Sequence, residues 1–197
     1  MIELYLLKFI FLNKNPYLNF FLVIGGLLIL FVLLTIFINK NKIKLIYSEI
    51  EALAVQNKCS FEQSKDKRFD CIIKTKEYML LIKVASIPSN SSVTINSKDT
   101  WCLRFGGGSR KGRNYPNKQY MNELVPFLKL SENSFEVNLN SEKLKIRKVI
   151  ILHPSTEVIL KYINESDICE INPNDTPYGY KVVTYKNFFK YFDRLTK

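Results

Sequence analysis

An aspartate and a lysine at matching places on two neighbouring strands are the residues of this chain best suited to chemistry. β-Branched and aromatic residues predict strands at 69–75 and 78–85, joined by a two-residue turn. That turn places Asp70 directly across from Lys83, with Cβ atoms about 5 Å apart. Because a carboxylate holds Mg²⁺ and a lysine orients or deprotonates the attacking water, the pair suits metal-assisted phosphodiester cleavage. A cross-strand ion pair is the alternative interpretation.

Residues farther along the chain extend this pattern. A small hairpin around 91–105 contains the single tryptophan, and residues 114–119 are expected to open a helix. From residue 47 to residue 154 the sequence resembles the nuclease-related domain (NERD) family. The resemblance rests on the order and spacing of Asp70, Lys83, Trp101, Pro116 and Gln119. It implies a restriction-endonuclease-like α/β core, with a mixed sheet flanked by helices.

The resemblance also implies roles for particular side chains. Asp70 matches the metal-binding aspartate of the family, and Lys83 matches the catalytic lysine. Gln119 matches a glutamine on a helix, and Glu49 matches a glutamate of the first helix, with Glu51 as the alternative. Mg²⁺ is the cofactor implied for an active member of the family.

Two positions depart from the family pattern. Leu81 lies where the family has an acidic residue two positions before the lysine, and Arg68 lies where an acidic residue commonly precedes the aspartate. One carboxylate alone makes a weaker Mg²⁺ site. We therefore expect a nucleic-acid-binding protein with weak or lost nuclease activity. The alternatives are an active Mg²⁺-dependent nuclease, in which Glu49 or Glu51 supplies the missing carboxylate, and a non-enzymatic membrane-associated scaffold.

The chain is strongly basic, with a formal net charge of +11, and basic residues are dense between residues 98 and 118. A glycine-rich loop there leads to a predicted helix start at Pro116. The free backbone N–H groups in the first turn of a helix favour an anion. A flexible solvated connection is the alternative for this loop. Non-specific nucleic-acid binding is expected through Arg104, Arg110, Lys111, Arg113 and Lys118.

An uncharged apolar run at 17–38 predicts a transmembrane helix, because about 20 such residues cross a bilayer. It follows a short interfacial segment at 1–16 and precedes an α/β domain at 40–197. Three lysines closely follow the run and two precede it, which favours a single-pass protein with a cytosolic C-terminal domain. The four cysteines are too sparse for a disulfide scaffold, in agreement with that orientation.

The periodicity of the C-terminal domain predicts alternating helices and strands, and hence an α/β fold with a mixed sheet. The expected helices are 42–58, 116–130, 155–164 and 186–196. The expected strands are 59–63, the hairpin 69–86, the small hairpin 91–105, 145–152, 168–172 and 180–184.

Overall fold

The computed structural model describes residues 16–88, 91–106, 117–130, 144–154, 156, 158–162, 168–172 and 175–196. These residues form a mixed α/β protein with a long apolar helix and two five-stranded mixed sheets. The chain divides into two compact units, Met1–Ile50 and Glu51–Lys197. The predicted interfacial segment lies outside the described residues, apart from Pro16.

Helix α1 (Pro16–Gln56) contains the apolar run. It is the one helix in the described part of the chain that is long and apolar enough to span a membrane, as the sequence predicted. The sequence also predicted a separate helix at 42–58, whereas α1 continues without a break. No glycine or proline follows Gly26 before Gln56, so nothing interrupts the helical hydrogen bonds. The helix ends where Lys58 adopts a left-handed φ of 56° and the Cys59 N–H donates to the Ala54 carbonyl.

The first sheet has the strand order β1-β2-β3-β7-β10. Strands β1, β2 and β3 are antiparallel, and β3, β7 and β10 are parallel. The Thr75 N–H donates to the Tyr78 carbonyl at 2.8 Å, which confirms the predicted hairpin and its two-residue turn. The strands are β1 (Ser60–Gln63), β2 (Cys71–Lys74), β3 (Tyr78–Ser86), β7 (Lys145–His153) and β10 (Tyr180–Thr184).

The second sheet has the order β6-β5-β4-β8-β9, and only β4 and β8 are parallel. The sequence predicted one mixed sheet, whereas the described residues form two mixed sheets. The Ile87 N–H donates to the His153 carbonyl at 2.7 Å, so the parallel pairing of β3 with β7 extends one residue beyond Ser86. The strands are β4 (Ser91–Ile95), β5 (Trp101–Phe105), β6 (Asn117–Tyr120), β8 (Val158–Tyr162) and β9 (Ile168–Glu170).

The main hydrophobic core joins residues of both sheets. Leu81 and Ile150 come from the first sheet, and Val93 and Trp101 come from the second. Phe127 of the short helix α2 (Val125–Leu128) belongs to the same cluster. Near the C-terminus, helices α3 (Tyr185–Lys190) and α4 (Phe192–Leu195) bury Phe188, Phe192 and Leu195.

The predicted helix at 116–130 is present only in its C-terminal half, and its N-terminal half is wrong. In the described part of that range, residues 117–120 form β6, followed by a 3₁₀ turn (Asn122–Leu124) and helix α2. Pro126 lacks an N–H and is accommodated only in the first turn of a helix, so α2 begins at Val125. The four residues of β6 bond to β5 instead.

The predicted helix at 155–164 is also wrong, because the described residues there form β8. This strand pairs in parallel with β4 and antiparallel with β9. Tertiary pairing of the apolar residues Val158, Ile159 and Leu160 thus outweighs local helical periodicity. The predicted C-terminal helix is present as α3 and α4, divided at Tyr191, where φ is −119°.

Candidate functional site

The structure brings Asp70 and Lys83 together, as the register of the hairpin predicted. Cys71 pairs with Ile82, and the Asp70 N–H donates to the Ile82 carbonyl at 2.8 Å. Lys83 Nζ donates to Asp70 Oδ1 at 3.1 Å. Each side chain is only 16% exposed, so the ion pair lies largely inside the protein.

The second oxygen of the carboxylate is also engaged. The Val84 N–H donates to Asp70 Oδ2 at 2.7 Å. The carboxylate therefore bonds to one side chain and one backbone group of β3, which ties the start of β2 to that strand. A cation at this carboxylate would compete with the Lys83 ammonium for Oδ1.

Leu81 occupies an interior position. Its side chain is fully buried and belongs to the core cluster that joins the two sheets. In the sheet it is paired with Ile72 on one side and Lys148 on the other. The position that the family resemblance assigns to a second carboxylate is therefore part of the hydrophobic core.

Two other acidic candidates lie on helix α1. The side chains of Glu49 and Glu51 are both exposed, Glu49 in the first compact unit and Glu51 in the second. Among the described residues, no group of three or more His, Cys, Asp or Glu side chains could hold a metal ion. The Mg²⁺ site at Asp70 stays a prediction for the active alternative.

Gln119 is not on a helix, so the role of a helix glutamine does not apply to it. It lies on β6, pairs with Leu103 and is exposed. Strand β6 is the edge of the second sheet, whereas Asp70 and Lys83 belong to the first. The misplacement follows from the wrong N-terminal half of the predicted helix at 116–130.

Arg68, at a position that the family resemblance expects to be acidic, has a local partner. Its guanidinium contacts the Asp66 carboxylate, with Nη2 to Oδ2 at 2.6 Å. The hydrogen bond from the Arg68 side chain is the main reason that the pKa of Asp66 is lowered; burial partly opposes it. This pair stabilises the loop that leads to Asp70.

Two of the predicted nucleic-acid contacts lie opposite each other. Arg104 on β5 is half-buried, Lys118 on β6 is exposed, and the two are paired across the strands. Arg110, Lys111 and Arg113 lie outside the described residues.

The sequence interpretation missed Tyr120, which is 52% exposed beside Lys118. The Lys118 Nζ lies 5.0 Å from the centroid of the Tyr120 ring. The sequence could have indicated this contact through the spacing of Lys118 and Tyr120, because residues two apart on a strand share a face.

A buried lysine fixes helix α2 against the first sheet. Lys148 donates from Nζ to the Leu130 carbonyl, and the Tyr180 hydroxyl donates to the Leu128 carbonyl at 2.7 Å. The Lys148 ammonium also lies 5.3 Å from the centroid of the Tyr180 ring. These contacts satisfy carbonyls at the C-terminal end of α2, a structural role.

Comparison with known proteins gives no match: no family model, curated protein or solved structure matches the chain. The similarity to the NERD family thus rests on the residues named above and stays a prediction.

Proposed function

We propose that this protein is a membrane-anchored, nuclease-related protein that binds nucleic acid non-specifically and has weak or lost nuclease activity. The observation that carries the proposal is the largely buried Asp70–Lys83 pair beside an apolar Leu81. The candidate site has kept its carboxylate and lysine but lacks the second carboxylate.

The chemistry of the pair argues against efficient cleavage. A divalent cation in a phosphodiester-cleaving site is normally held by carboxylates together with substrate oxygens. Here the one carboxylate of the pair accepts hydrogen bonds from Lys83 and Val84. The lysine is held by the same carboxylate, so it is not positioned to activate a water for attack.

The order of the elements supports a nuclease-related origin. A helix precedes three antiparallel strands, and the parallel strand β7 extends the same sheet after the short helix α2. A restriction-endonuclease-like core has the order helix, three strands, helix and strand. The second sheet is an addition to that order, contributed by β4, β5, β6, β8 and β9.

Nucleic-acid binding is supported by charge. The net charge of +11 favours a polyanionic partner, and apart from Lys8, Lys14 and Glu3 every charged residue lies from residue 40 onward. Helix α1 would hold this basic unit at a membrane.

The test uses the full-length protein in lipid nanodiscs. Labelled single-stranded DNA, duplex DNA and RNA are titrated at several salt concentrations, and cleavage is followed with Mg²⁺ and with Mn²⁺. We expect binding that weakens steeply with salt, together with cleavage at background.

Two variants address the candidate site directly. Asp70→Asn and Lys83→Met should leave cleavage at background and lower the melting temperature, because each leaves a largely buried partner uncompensated. Robust wild-type cleavage that disappears in both variants would establish the active-nuclease alternative. No binding to any nucleic acid would favour the scaffold alternative.

A further inference from the structure

Three polar side chains form a row across the second sheet. Ser92 on β4 is paired with Arg104 on β5, which is paired with Lys118 on β6. Directly paired residues project from the same face of a sheet. Their strand neighbours Val93 and Leu103 belong to the core cluster on the opposite face. The row, called the Ser92 row below, therefore lies on the opposite face from that cluster. Its Ser92 end is buried, Arg104 is half-buried and Lys118 is exposed.

Within the described part of the chain, the groups of the Ser92 row have no hydrogen-bond acceptor or carboxylate partner. Ser92 is fully buried, and its Oγ has no hydrogen-bond partner. Arg104 and Lys118 form no ion pair among the described residues. Arg104 and Lys118 are the members of the row that reach solvent, and two facing cations without a carboxylate partner among the described residues favour an anion.

Within the paired strands of the second sheet, the acidic side chain lies away from the row. Among the residues whose pairing the structure describes, Glu170 on β9 is the acidic residue that the register places on this face, through Leu160 and Thr94. Strands β8 and β4 separate β9 from β5, about 14 Å at the usual strand spacing. Strands β4, β5 and β6 themselves contain no acidic residue beside Arg104 and Lys118.

Tyr120 lies next to the row on the same face. It follows Lys118 by two residues and pairs with Cys102, about 7 Å farther along the strand. The ring is more than half exposed, with the Lys118 ammonium at one side. A phosphate held by Lys118 and Arg104 would leave the neighbouring base within reach of this ring.

We propose that Arg104, Lys118 and Tyr120, at the β6 edge of the second sheet, form a binding site for single-stranded nucleic acid. Arg104 and Lys118 bind a phosphate, and Tyr120 stacks on an unpaired base. A paired base in a duplex cannot present its face to a side chain, so the stacking contact selects a single strand. The site rests on the proposed function and gives it a location and a substrate class.

The experiment measures binding of a labelled oligothymidylate to the full-length protein in nanodiscs, with a duplex of equal length as the comparison. The test variants are Tyr120→Leu and Lys118→Gln. Tyr120→Phe keeps the aromatic face, and Lys76→Gln removes an exposed charge from the turn between β2 and β3.

Tyr120→Leu should weaken single-strand binding about tenfold and change duplex binding much less. Tyr120→Phe should bind the single strand about as tightly as the wild type. Lys118→Gln should lower the log–log salt slope for the single strand by about 0.7, whereas Lys76→Gln should leave it unchanged.

Two results would overturn the site. If the wild type binds but Tyr120→Leu and Lys118→Gln behave like Lys76→Gln, the interface lies elsewhere and the proposed function survives. If Tyr120→Leu weakens duplex and single strand equally, stacking on an unpaired base is wrong. Absence of any wild-type binding would reject both the site and the proposed function.

Discussion

Leu81 shows how one residue can decide between chemistry and packing. In the register of the first sheet its neighbours are Ile72 and Lys148, and the Lys148 ammonium already donates to the Leu130 carbonyl. A carboxylate at position 81 would lose its water without gaining an unengaged donor nearby. It would either stay protonated or draw Lys148 away from helix α2.

Leu81→Glu should therefore destabilise the protein rather than restore a metal site. We expect the free energy of unfolding to fall by about 2 to 5 kcal/mol, while Leu81→Met costs less than about 1.5 kcal/mol. Urea unfolding of both variants checks this, beside a cleavage assay with Mg²⁺. A variant as stable as the wild type that cleaves DNA would show that this position accepts a metal ligand.

The loop between β1 and β2 determines where Asp70 lies. The Ser64 N–H donates to the Asp70 carbonyl at 2.9 Å, and the Ser64 Oγ accepts from the Asp66 N–H at 2.9 Å. Asp66 in turn accepts from the Arg68 backbone and side chain. The loop is thus closed by its own polar groups, and the Asp66–Arg68 pair is its charged contact.

The Asp66–Arg68 pair should make part of the stability depend on pH. Because the pKa of Asp66 is lowered in the folded protein, its contribution is complete above the unfolded pKa and is lost as pH falls through the folded pKa. Asp66→Asn should cost up to about 1 kcal/mol at pH 7, since the pair is partly exposed. Urea unfolding of the variant and the wild type at several pH values measures this difference. A difference that stays constant down to about pH 2 would contradict the assignment.

Local sequence patterns predicted the elements whose contacts join residues close together in the sequence. The hairpin of β2 and β3, its register and the facing Asp70 and Lys83 all follow from a two-residue turn. Strand β8 was missed because its parallel partner, β4, is distant in sequence. Strand β6 was missed because the predicted helix was extended back past Pro126, which a helix accommodates only in its first turn. For the same reason the sequence indicated the candidate carboxylate and lysine, but not that Arg104 and Lys118 face each other.

At the scale of the whole molecule, the reactivity of the cysteine thiols depends on folding and on orientation in the membrane. Cys71 and Cys102 are buried, Cys59 is half-buried and Cys169 is exposed; none of these cysteines forms a disulfide. Burial raises the pKa of the Cys71 thiol far above its usual range, so Cys71 is a poor nucleophile in the folded protein. The exposed Cys169 is the thiol that an added reagent should reach first.

Labelling of Cys169 tests the expected orientation of the C-terminal domain. In a Cys59→Ser background, a membrane-impermeant maleimide should label Cys169 only after the cells are permeabilised, because the lysines following the apolar run favour the cytosol. The control Asn13→Cys, combined with Cys169→Ser, places a thiol before the run and should be labelled in intact cells. The opposite pattern would reverse the orientation.

The parallel pair in each sheet, β3 with β7 and β4 with β8, also sets an order of assembly. Strands β3 and β4 leave the ribosome long before β7 and β8, the strands that they pair with. The two antiparallel hairpins can form early. Both sheets, however, need the later segment that contains β7 and β8, and closing the long loop before that segment is slow. Neither sheet can therefore be completed ahead of the other, and the two should form in a single cooperative step.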